Sequence, residues 1–358
     1  MNNLSDNQKK LNEQVLNCLQ NEKLSYEIKL KKIKYLLRLG AMVNYQGGYG
    51  NRSILHLAVI NGETEIVKFL IEKGANIEAK DDKKRTPLMY AVYHKHNEIA
   101  YDLIDNGADI KVIDGDLNNL LVFAVASENF EMVKCLVEKG VKIKADIGKF
   151  NFTPMSEAGW SGNLEIMKYL VKNGGDINEE NISYVSGTPL IRASASGNIE
   201  VMQYLIDKGA KVDARDKREK SALMWAAECG QLKAVELLIK EGADVNAHDF
   251  ENMRPLLYAV IEGHVDIAEK LIEAKADLEI KDDRNFSLLT YAVLGKSFKM
   301  IDLLVESGIE VNFKKLCRDE KVAQVLAPCK DVIEYINQKK KNNFWEKAKN
   351  MLRLKKER

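Results

Sequence analysis

Histidine and cysteine, the side chains typical of structural zinc sites, are both scarce among the 358 residues of this sequence. His94 and His96 flank Lys95 and would bring two imidazoles close together, whereas His248 and His264 come much later in the chain. A zinc site needs three or four ligands that converge on one ion. We therefore expect no metal site and no cofactor, and we interpret the two neighbouring histidines as polar residues of a loop.

The cysteines are odd in number and include no C-x-x-C pair, so they indicate neither a disulfide framework nor a redox motif. Cys135 lies in the apolar run MVKCLVEKG and is expected in the core. The full set is Cys18, Cys135, Cys229, Cys317 and Cys329. Such usage is typical of reduced thiols, and we expect a cytoplasmic protein.

Catalytic motifs are missing from the sequence. It contains no G-x-S-x-G elbow, no G-x-x-x-x-G-K-[ST] loop, no H-E-x-x-H helix and no G-x-G-x-x-G turn. The run Gly47-Gly48-Tyr49-Gly50 is rich in glycine but has no lysine to hold a phosphate. We expect a lengthened turn there and predict that the chain is not an enzyme.

The composition is that of a chain able to bury a large core. Hydrophobic residues make up 46% and charged residues 30%, with a net charge of +1. This balance excludes the low hydrophobicity and high net charge of disordered proteins, and it gives no reason to expect nucleic acid as a partner. No stretch approaches the roughly 18 apolar residues of a membrane-spanning helix, and the first residues, MNNLSDNQKK, do not resemble a secretory signal.

Two kinds of residue recur at a fixed spacing and define the elements that must carry any site. Thr86-Pro87, Thr153-Pro154, Thr188-Pro189 and Arg254-Pro255 recur at one or two multiples of about 33 residues. Glycines that end apolar runs follow the same period, with Lys275 in place of one of them. They are Gly40, Gly74, Gly107, Gly140, Gly174, Gly209, Gly242 and Gly308. Such a period predicts stacked structural units.

Each unit predicts a pair of helices. Thr, Ser or Asn can cap the first, short helix, in whose first turn proline is tolerated. The second helix has apolar residues at helical spacing, for example Val235, Leu238 and Ile239. One alanine per unit would let neighbouring first helices approach closely. These alanines are Ala58, Ala91, Ala124, Ala158, Ala193, Ala226, Ala259 and Ala292.

This pattern resembles the ankyrin repeat. The best-matched copy is Ser53-Ile54-Leu55-His56-Leu57-Ala58, with Asn61-Gly62 after the first helix and Gly74-Ala75-Asn76-Ile77 after the second. The resemblance implies an all-α solenoid of about nine repeats, built from stacked helix-turn-helix pairs with β-turn or hairpin fingers and capped by helices at both ends. It also implies that the side chain of His56 bonds loop backbone.

The chain departs from the pattern locally. The copy GDLNNLLVFAV lacks Thr-Pro, Glu128 and Lys275 replace glycines, and the turns at 44–51 and 179–187 are lengthened. We predict an N-terminal capping helix within 1–23, a repeat stack over 24–313 with a divergent first copy, capping helices over 314–338 and a basic amphipathic tail over 339–358.

The resemblance implies that partners bind to the inner faces of the first helices and to the finger tips. One position per unit forms a ladder along the first helices, and a second row lies three residues further on. The ladder is Leu57, Tyr90, Phe123, Glu157, Arg192, Trp225, Tyr258 and Tyr291, and the second row includes Ile60, Tyr93, Trp160, Glu228 and Ile261. The tips add Tyr49, Arg52, Arg85, Phe150, Phe152, Tyr184, Arg218, Lys220, Phe250, Met253 and Phe286.

Aromatic residues and arginine are enriched in binding hot spots. For the ladder, packing between adjacent first helices is an equally good interpretation. For the tip aromatics we favour partner contact, because turns are usually solvated.

The last twenty residues carry nine basic and two acidic side chains. Phe344, Met351 and Leu352 share a helical face there, with Trp345 beside it. This tail could be a solvated cap, could dock on an anionic membrane or a protein, or, less favoured, could contact nucleic acid.

These features predict a non-enzymatic scaffold or adaptor that binds a protein on the concave face of an ankyrin-repeat stack. One alternative is a peripheral membrane adaptor anchored by the tail. Another follows from the abundance of Lys, Ile and Asn, which resembles ankyrin-repeat proteins of intracellular bacteria, some of which are delivered into host cells.

Overall fold

The fold is described from a computed structural model. It describes residues 5–144, 152–180 and 187–309, and further along the chain Leu326, Cys329, 331–336 and 338. The chain divides into two compact units, Met1–Pro189 and Leu190–Arg358. Each unit is a stack of helix pairs.

The first unit contains ten helices and one small hairpin within its described residues. In chain order these are α1 (Asp6–Gln20), α2 (Tyr26–Arg38), β1 (Gln46–Gly47), β2 (Arg52–Ser53), α3 (Ile54–Ile60), α4 (Thr64–Glu72), α5 (Pro87–Tyr93), α6 (Asn97–Asp105), α7 (Leu120–Ala126), α8 (Phe130–Glu138), α9 (Pro154–Ser161) and α10 (Leu164–Lys172). First helices pack against first helices in the order α1, α3, α5, α7 and α9, and second helices pack alongside them.

The second unit repeats this arrangement. Its helices are α11 (Pro189–Ser196, which begins at the boundary), α12 (Ile199–Asp207), α13 (Ala222–Glu228), α14 (Leu232–Lys240), α15 (Pro255–Ile261), α16 (Val265–Glu273), α17 (Leu288–Leu294) and α18 (Phe298–Glu306). The first helices α13, α15 and α17 pack in series, as do the second helices α12, α14, α16 and α18. Residues 331–336 are also helical, and Val332 and Ile336 are buried there.

The first helices begin as their sequence predicts. Ser53, Ser221 and Ser287 each accept a hydrogen bond from the backbone N–H three residues later, which satisfies a donor that the helix cannot use. The alanine of each unit is completely or almost completely buried. Neighbouring first helices contact one another, which agrees with the prediction that a small residue lets them approach closely.

Two positions at which another residue replaces the expected glycine still have the left-handed backbone conformation typical of glycine. Lys275 has φ of 68° and Glu128 has φ of 51°, both in the left-handed region. The turns that follow these helices therefore close as in the other units, although a side chain there is strained.

The fingers are short turns and hairpins. β1 pairs with β2 in antiparallel register, Gln46 opposite Ser53 and Gly47 opposite Arg52. Adjacent fingers also bond to each other, since Asp82 N–H donates to Gly50 O at 3.0 Å. The prediction of β-turn or hairpin fingers is confirmed.

The N-terminal helices form a pair of their own. Leu11, Val15, Cys18 and Leu19 of α1 are buried, and α1 packs against both α2 and α3. Because α2 packs against α4, α1 and α2 take the places of a first and a second helix in the stack. The predicted boundary between the capping helix and the repeat stack, after residue 23, therefore separates two helices that pack together as a pair.

Two positions in the core differ from expectation. Cys135 is half-buried on α8, where one side of the second helix meets solvent, so its prediction as a core residue is wrong. Glu179 is buried at a position where other units have Ala79, Ala247 or Ile280. Within the described part of the chain, no helix is long and apolar enough to cross a membrane.

Candidate functional site

Five of the finger turns are each organised by a buried aspartate. In Asp81, Oδ1 accepts hydrogen bonds from the backbone N–H groups of Lys83 at 2.9 Å and of Arg85 at 2.8 Å, two and four residues later. The same pair of bonds recurs in every turn of the set, which is Asp81, Asp114, Asp216, Asp249 and Asp282. A carboxylate that accepts two backbone donors fixes the turn, because the bonds are charge-assisted.

The second carboxylate oxygen reaches the ladder nine residues further on. Tyr90 donates its hydroxyl to Asp81 at 2.7 Å, Trp225 its indole N–H to Asp216 at 2.8 Å, and Tyr258 its hydroxyl to Asp249 at 2.5 Å. Tyr291 bonds Asp282 in the same way at 2.6 Å. The polar groups of these ladder residues therefore hold the finger to the first helix.

Burial accompanies these bonds. Burial first, and then the hydrogen bond to aspartate, raise the pKa of Tyr258 and of Tyr291 well above the usual phenol value. Burial alone would raise the pKa of Asp282, but the hydrogen bonds from Tyr291, Phe286 N–H and Arg284 together lower it. The phenols thus stay protonated as donors and the carboxylate stays charged as acceptor.

In the repeat of Asp114 the ladder residue is Phe123, which cannot donate a hydrogen bond, and an arginine from the preceding finger approaches the aspartate instead. Phe123 lies nine residues after Asp114 and has no polar group, and Arg85 Nε approaches Asp114 Oδ2 at 3.4 Å instead. The Arg85 guanidinium lies 5.4 Å from the centre of the Phe123 ring. Arg52 is engaged in a similar way, 5.1 Å from the Tyr90 ring and bonded to its hydroxyl at 3.1 Å.

Two residues that lie four places after a finger aspartate, Lys220 and Phe286, pack against ladder rings. Lys220 is only 1% exposed; its ammonium lies 3.8 Å from the Trp225 ring and 4.2 Å from the Tyr258 ring, and it pairs with Glu228. Phe286 contacts the Tyr291 ring edge-on at 5.7 Å. These side chains lie where the finger returns to the first helix, and for this reason they point inward.

Several sequence-predicted contact residues are therefore inaccessible. The expectation of exposed side chains is wrong for Tyr90, Arg192, Lys220, Met253 and Phe286, all of which are buried. Trp225, Tyr258 and Tyr291 are half-buried. Sequence reasoning missed the finger aspartates, although their recurrence nine residues before the ladder was visible in the sequence.

Other predicted contact residues are exposed. Tyr49, Phe250 and Arg218 lie at finger tips and are exposed to solvent, and Phe152 is half-buried with its N–H 3.3 Å from Asn118 Oδ1. Six further predicted residues lie outside the described residues. They are Phe150, Tyr184, Phe344, Trp345, Met351 and Leu352.

The second row contains two exposed aromatic residues at the same helix register. Tyr93 ends α5 and is 51% exposed, and Trp160 on α9 is 45% exposed. Helix α7 packs between α5 and α9 and presents Ala126 at the equivalent position. We call Tyr93, Ala126 and Trp160 the first-helix patch.

A cavity of about 310 Å³ lies at the base of a finger in the same unit, and its lining includes Ile113, Leu117, Lys111, Lys142 and Lys144. Ile113 and Leu117 are both exposed to solvent. A cavity that combines exposed apolar side chains with lysines can accept an acidic side chain on an apolar stem.

The histidines serve the fold. Ser53 N–H donates to His56 Nδ1 at 3.1 Å, which leaves His56 Nε2 to donate to Arg85 O at 3.0 Å, so the predicted bond to loop backbone is confirmed. His96 Nε2 lies 3.2 Å from Ile60 O. Among the residues that the structure describes, no group of three or more His, Cys, Asp or Glu could hold a metal ion.

Comparison with known protein families matches the description "Ankyrin repeats (3 copies)" at residues 24–114, 103–181, 179–249 and 248–315. No curated protein matches the chain. Repeats of this kind indicate a protein–protein interaction module, and the family is typically non-enzymatic. The matched segments span most of the sequence, and they agree with the paired helices, buried alanines and finger turns, so the chain belongs to the ankyrin-repeat family.

Proposed function

We propose that this chain is a non-enzymatic adaptor that binds a protein partner through the first-helix patch. The observation that carries the proposal is the exposure of Tyr93 and Trp160 at the same register of α5 and α9, the two first helices on either side of α7. Tyr90, on the same helix as Tyr93, is buried and donates its hydroxyl to Asp81. Tyr93 and Trp160 are each about half exposed to solvent.

The patch has the chemistry of a binding hot spot. Tryptophan and tyrosine are the residues that contribute most to protein interfaces, and small residues between them leave a shallow space for a partner side chain. The Tyr93 ring meets the Phe123 ring edge-on at 6.3 Å, which limits its freedom before binding. A surface ordered in advance loses less conformational entropy when it binds.

Exposed finger tips offer further contact positions in each unit, taken separately. Tyr49 lies on the first unit; Arg218 and Phe250 lie together on the second, where Phe250 N–H donates to Arg218 O at 3.2 Å. An arginine beside an exposed ring suits a partner with acidic and apolar side chains. The membrane-anchoring tail, the host-directed role and the cytoplasmic location stay predictions from the sequence.

The test compares partner capture by full-length variants. We expect Y93A/W160A to lower recovery of bound proteins by about tenfold or more in affinity capture with quantitative mass spectrometry. The matched control is Y101A, which removes a comparably exposed tyrosine from the second helix α6. Thermal unfolding should be nearly unchanged for both. Equal recovery by Y93A/W160A and the wild type would reject this surface as the binding site.

A further inference from the structure

Helix α2 and its C-cap residue Leu39 expose apolar side chains on a side that does not face the core. Ile28 and Leu39 are each 51% exposed and Tyr35 is 61% exposed. Their spacing of seven and four residues places them along one strip of a helix with 3.6 residues per turn. The core side of α2 is formed by Lys29, Ile33 and Leu36. We call Ile28, Tyr35 and Leu39 the α2 strip.

The neighbouring helices show that this exposure is not a general property of the stack. A terminal repeat is expected to have a polar outer face, and α1 has one, with exposed Asn7, Lys10, Gln14 and Asn17. The next second helix, α4, exposes Glu65. Only α2, among these three helices, presents large apolar side chains to solvent in a row.

Basic residues flank the α2 strip on both sides. Lys31 and Arg38 lie on one side of it and Lys32 on the other, all exposed. Glu27 is the single acidic residue of the helix. No ion pair between described residues involves Lys31, Lys32 or Arg38, whereas Glu65 on the adjacent α4 lies 3.9 Å from its own helix neighbour Lys68. The strip is therefore an apolar row between cations without carboxylate partners among the described residues.

We propose that α2 docks on an anionic membrane surface, with the α2 strip inserted among the lipid headgroups and Lys31, Lys32 and Arg38 against the phosphates. A helix with an apolar face and flanking Lys or Arg is suited to lie in the plane of this interface. Lysine is depleted at protein–protein interfaces, but it is favourable at an anionic leaflet. A protruding strip needs no matching groove in a lipid surface, and this proposal depends neither on the first-helix patch nor on the tail.

The test is sedimentation of the full-length chain with vesicles of phosphatidylcholine, alone or mixed with phosphatidylserine. We expect binding to the mixed vesicles only. K31E/R38E should lower the bound fraction by about tenfold or more, and Y35S/L39S should also lower it. The matched control K9E/K10E changes the net charge equally on the polar helix α1 and should change binding by less than about twofold.

The result that would overturn the proposal is clear because the tail is intact in every variant. If K31E/R38E binds the mixed vesicles as strongly as the wild type does, other residues must be responsible for membrane binding and the proposal is wrong. An equal loss of binding in K9E/K10E would mean that only net charge matters, which contradicts a specific role of α2. If the wild type does not bind the mixed vesicles, membrane docking is rejected. Far-ultraviolet circular dichroism should match the wild type in each variant.

Discussion

Tyr90 and Tyr93 lie three residues apart on the same short helix and differ completely in environment. Tyr90 is buried, bonds Asp81 and lies against Arg52, whereas Tyr93 is half exposed. The difference arises because a finger aspartate lies within reach of one position and not of the other. At the scale of residues, the side chains that most resemble binding residues divide into those that hold fingers and those that are available to a partner.

Glu179 gives a prediction at this scale. It is buried in a position that other units fill with alanine or isoleucine, and among the described residues neither carboxylate oxygen has a hydrogen-bond partner of ordinary geometry. Burial raises its pKa, and Thr153 and Lys144 offset this only in part. We expect E179A to raise the unfolding midpoint at pH 7.

The gain from E179A should depend on pH. The folded-state pKa of Glu179 lies above the unfolded value of about 4.3, so the folded wild type holds this proton more tightly than the unfolded chain does. The wild type is then most stable relative to E179A below about pH 4, and loses that stability as pH rises through the folded-state pKa. Urea unfolding between pH 4 and pH 7 measures this. E180A, at an exposed neighbour, should show no such trend, and a pH-independent gain in E179A would contradict the interpretation.

At the scale of elements, four fingers are each held by a hydrogen bond to the first helix that follows them. The aspartate closes the turn through backbone donors, and the ladder side chain fastens the closed turn to the helix. A finger that carries an exposed side chain such as Phe250 is therefore held in place before any partner binds.

Removal of one ladder hydroxyl tests this coupling. Y258F leaves Asp249 Oδ2 without the donor that lies 2.5 Å away, and we expect a loss of about 1–3 kcal/mol in the free energy of unfolding. Hydrogen exchange should become faster for the amides of the 249–253 turn. Y93F, which removes a hydroxyl from an exposed tyrosine, should change stability by less than about 0.5 kcal/mol. Equal effects of the two changes would mean that the ladder bond does not hold the finger.

At the scale of the whole molecule, helix pairs contact their neighbours in series within each unit. Stability in such a stack is close to a sum of local terms, so damage should be greatest near the altered repeat. Leu103 on α6 and Leu238 on α14 are equivalent, fully buried residues in the two units.

This matched pair tests the division of the chain. L103A and L238A should each cost about 2–5 kcal/mol locally. Hydrogen exchange followed by mass spectrometry should show the largest loss of protection in α5–α8 for L103A and in α13–α16 for L238A. The same pattern of loss for both variants would indicate one cooperative unit.

The repeat period, the helix pairs, the capping residues and the buried alanines could all be predicted from the sequence. They depend on local conformational preferences and on the spacing of apolar residues, and both can be read from short stretches of sequence. His56 could be placed because its repeat matched the family pattern. The left-handed backbone at the glycine positions could also be predicted from the repeat. Lys275 and Glu128 have this conformation although they are not glycine.

Only the tertiary structure decided which aromatic residues are available to a partner. Tyr258 and Tyr93 look alike in sequence, but the Asp249 carboxylate accepts the hydroxyl of the first, while the ring of the second lies half in solvent. Phe286 looked like an exposed tip and is buried against Tyr291. The exposure of the α2 strip could not be predicted from the sequence, because apolar residues on a helix are expected to face the core. The aspartate nine residues before Tyr258 is visible in the sequence. Burial itself depends on contacts between residues distant along the chain, which no local pattern gives.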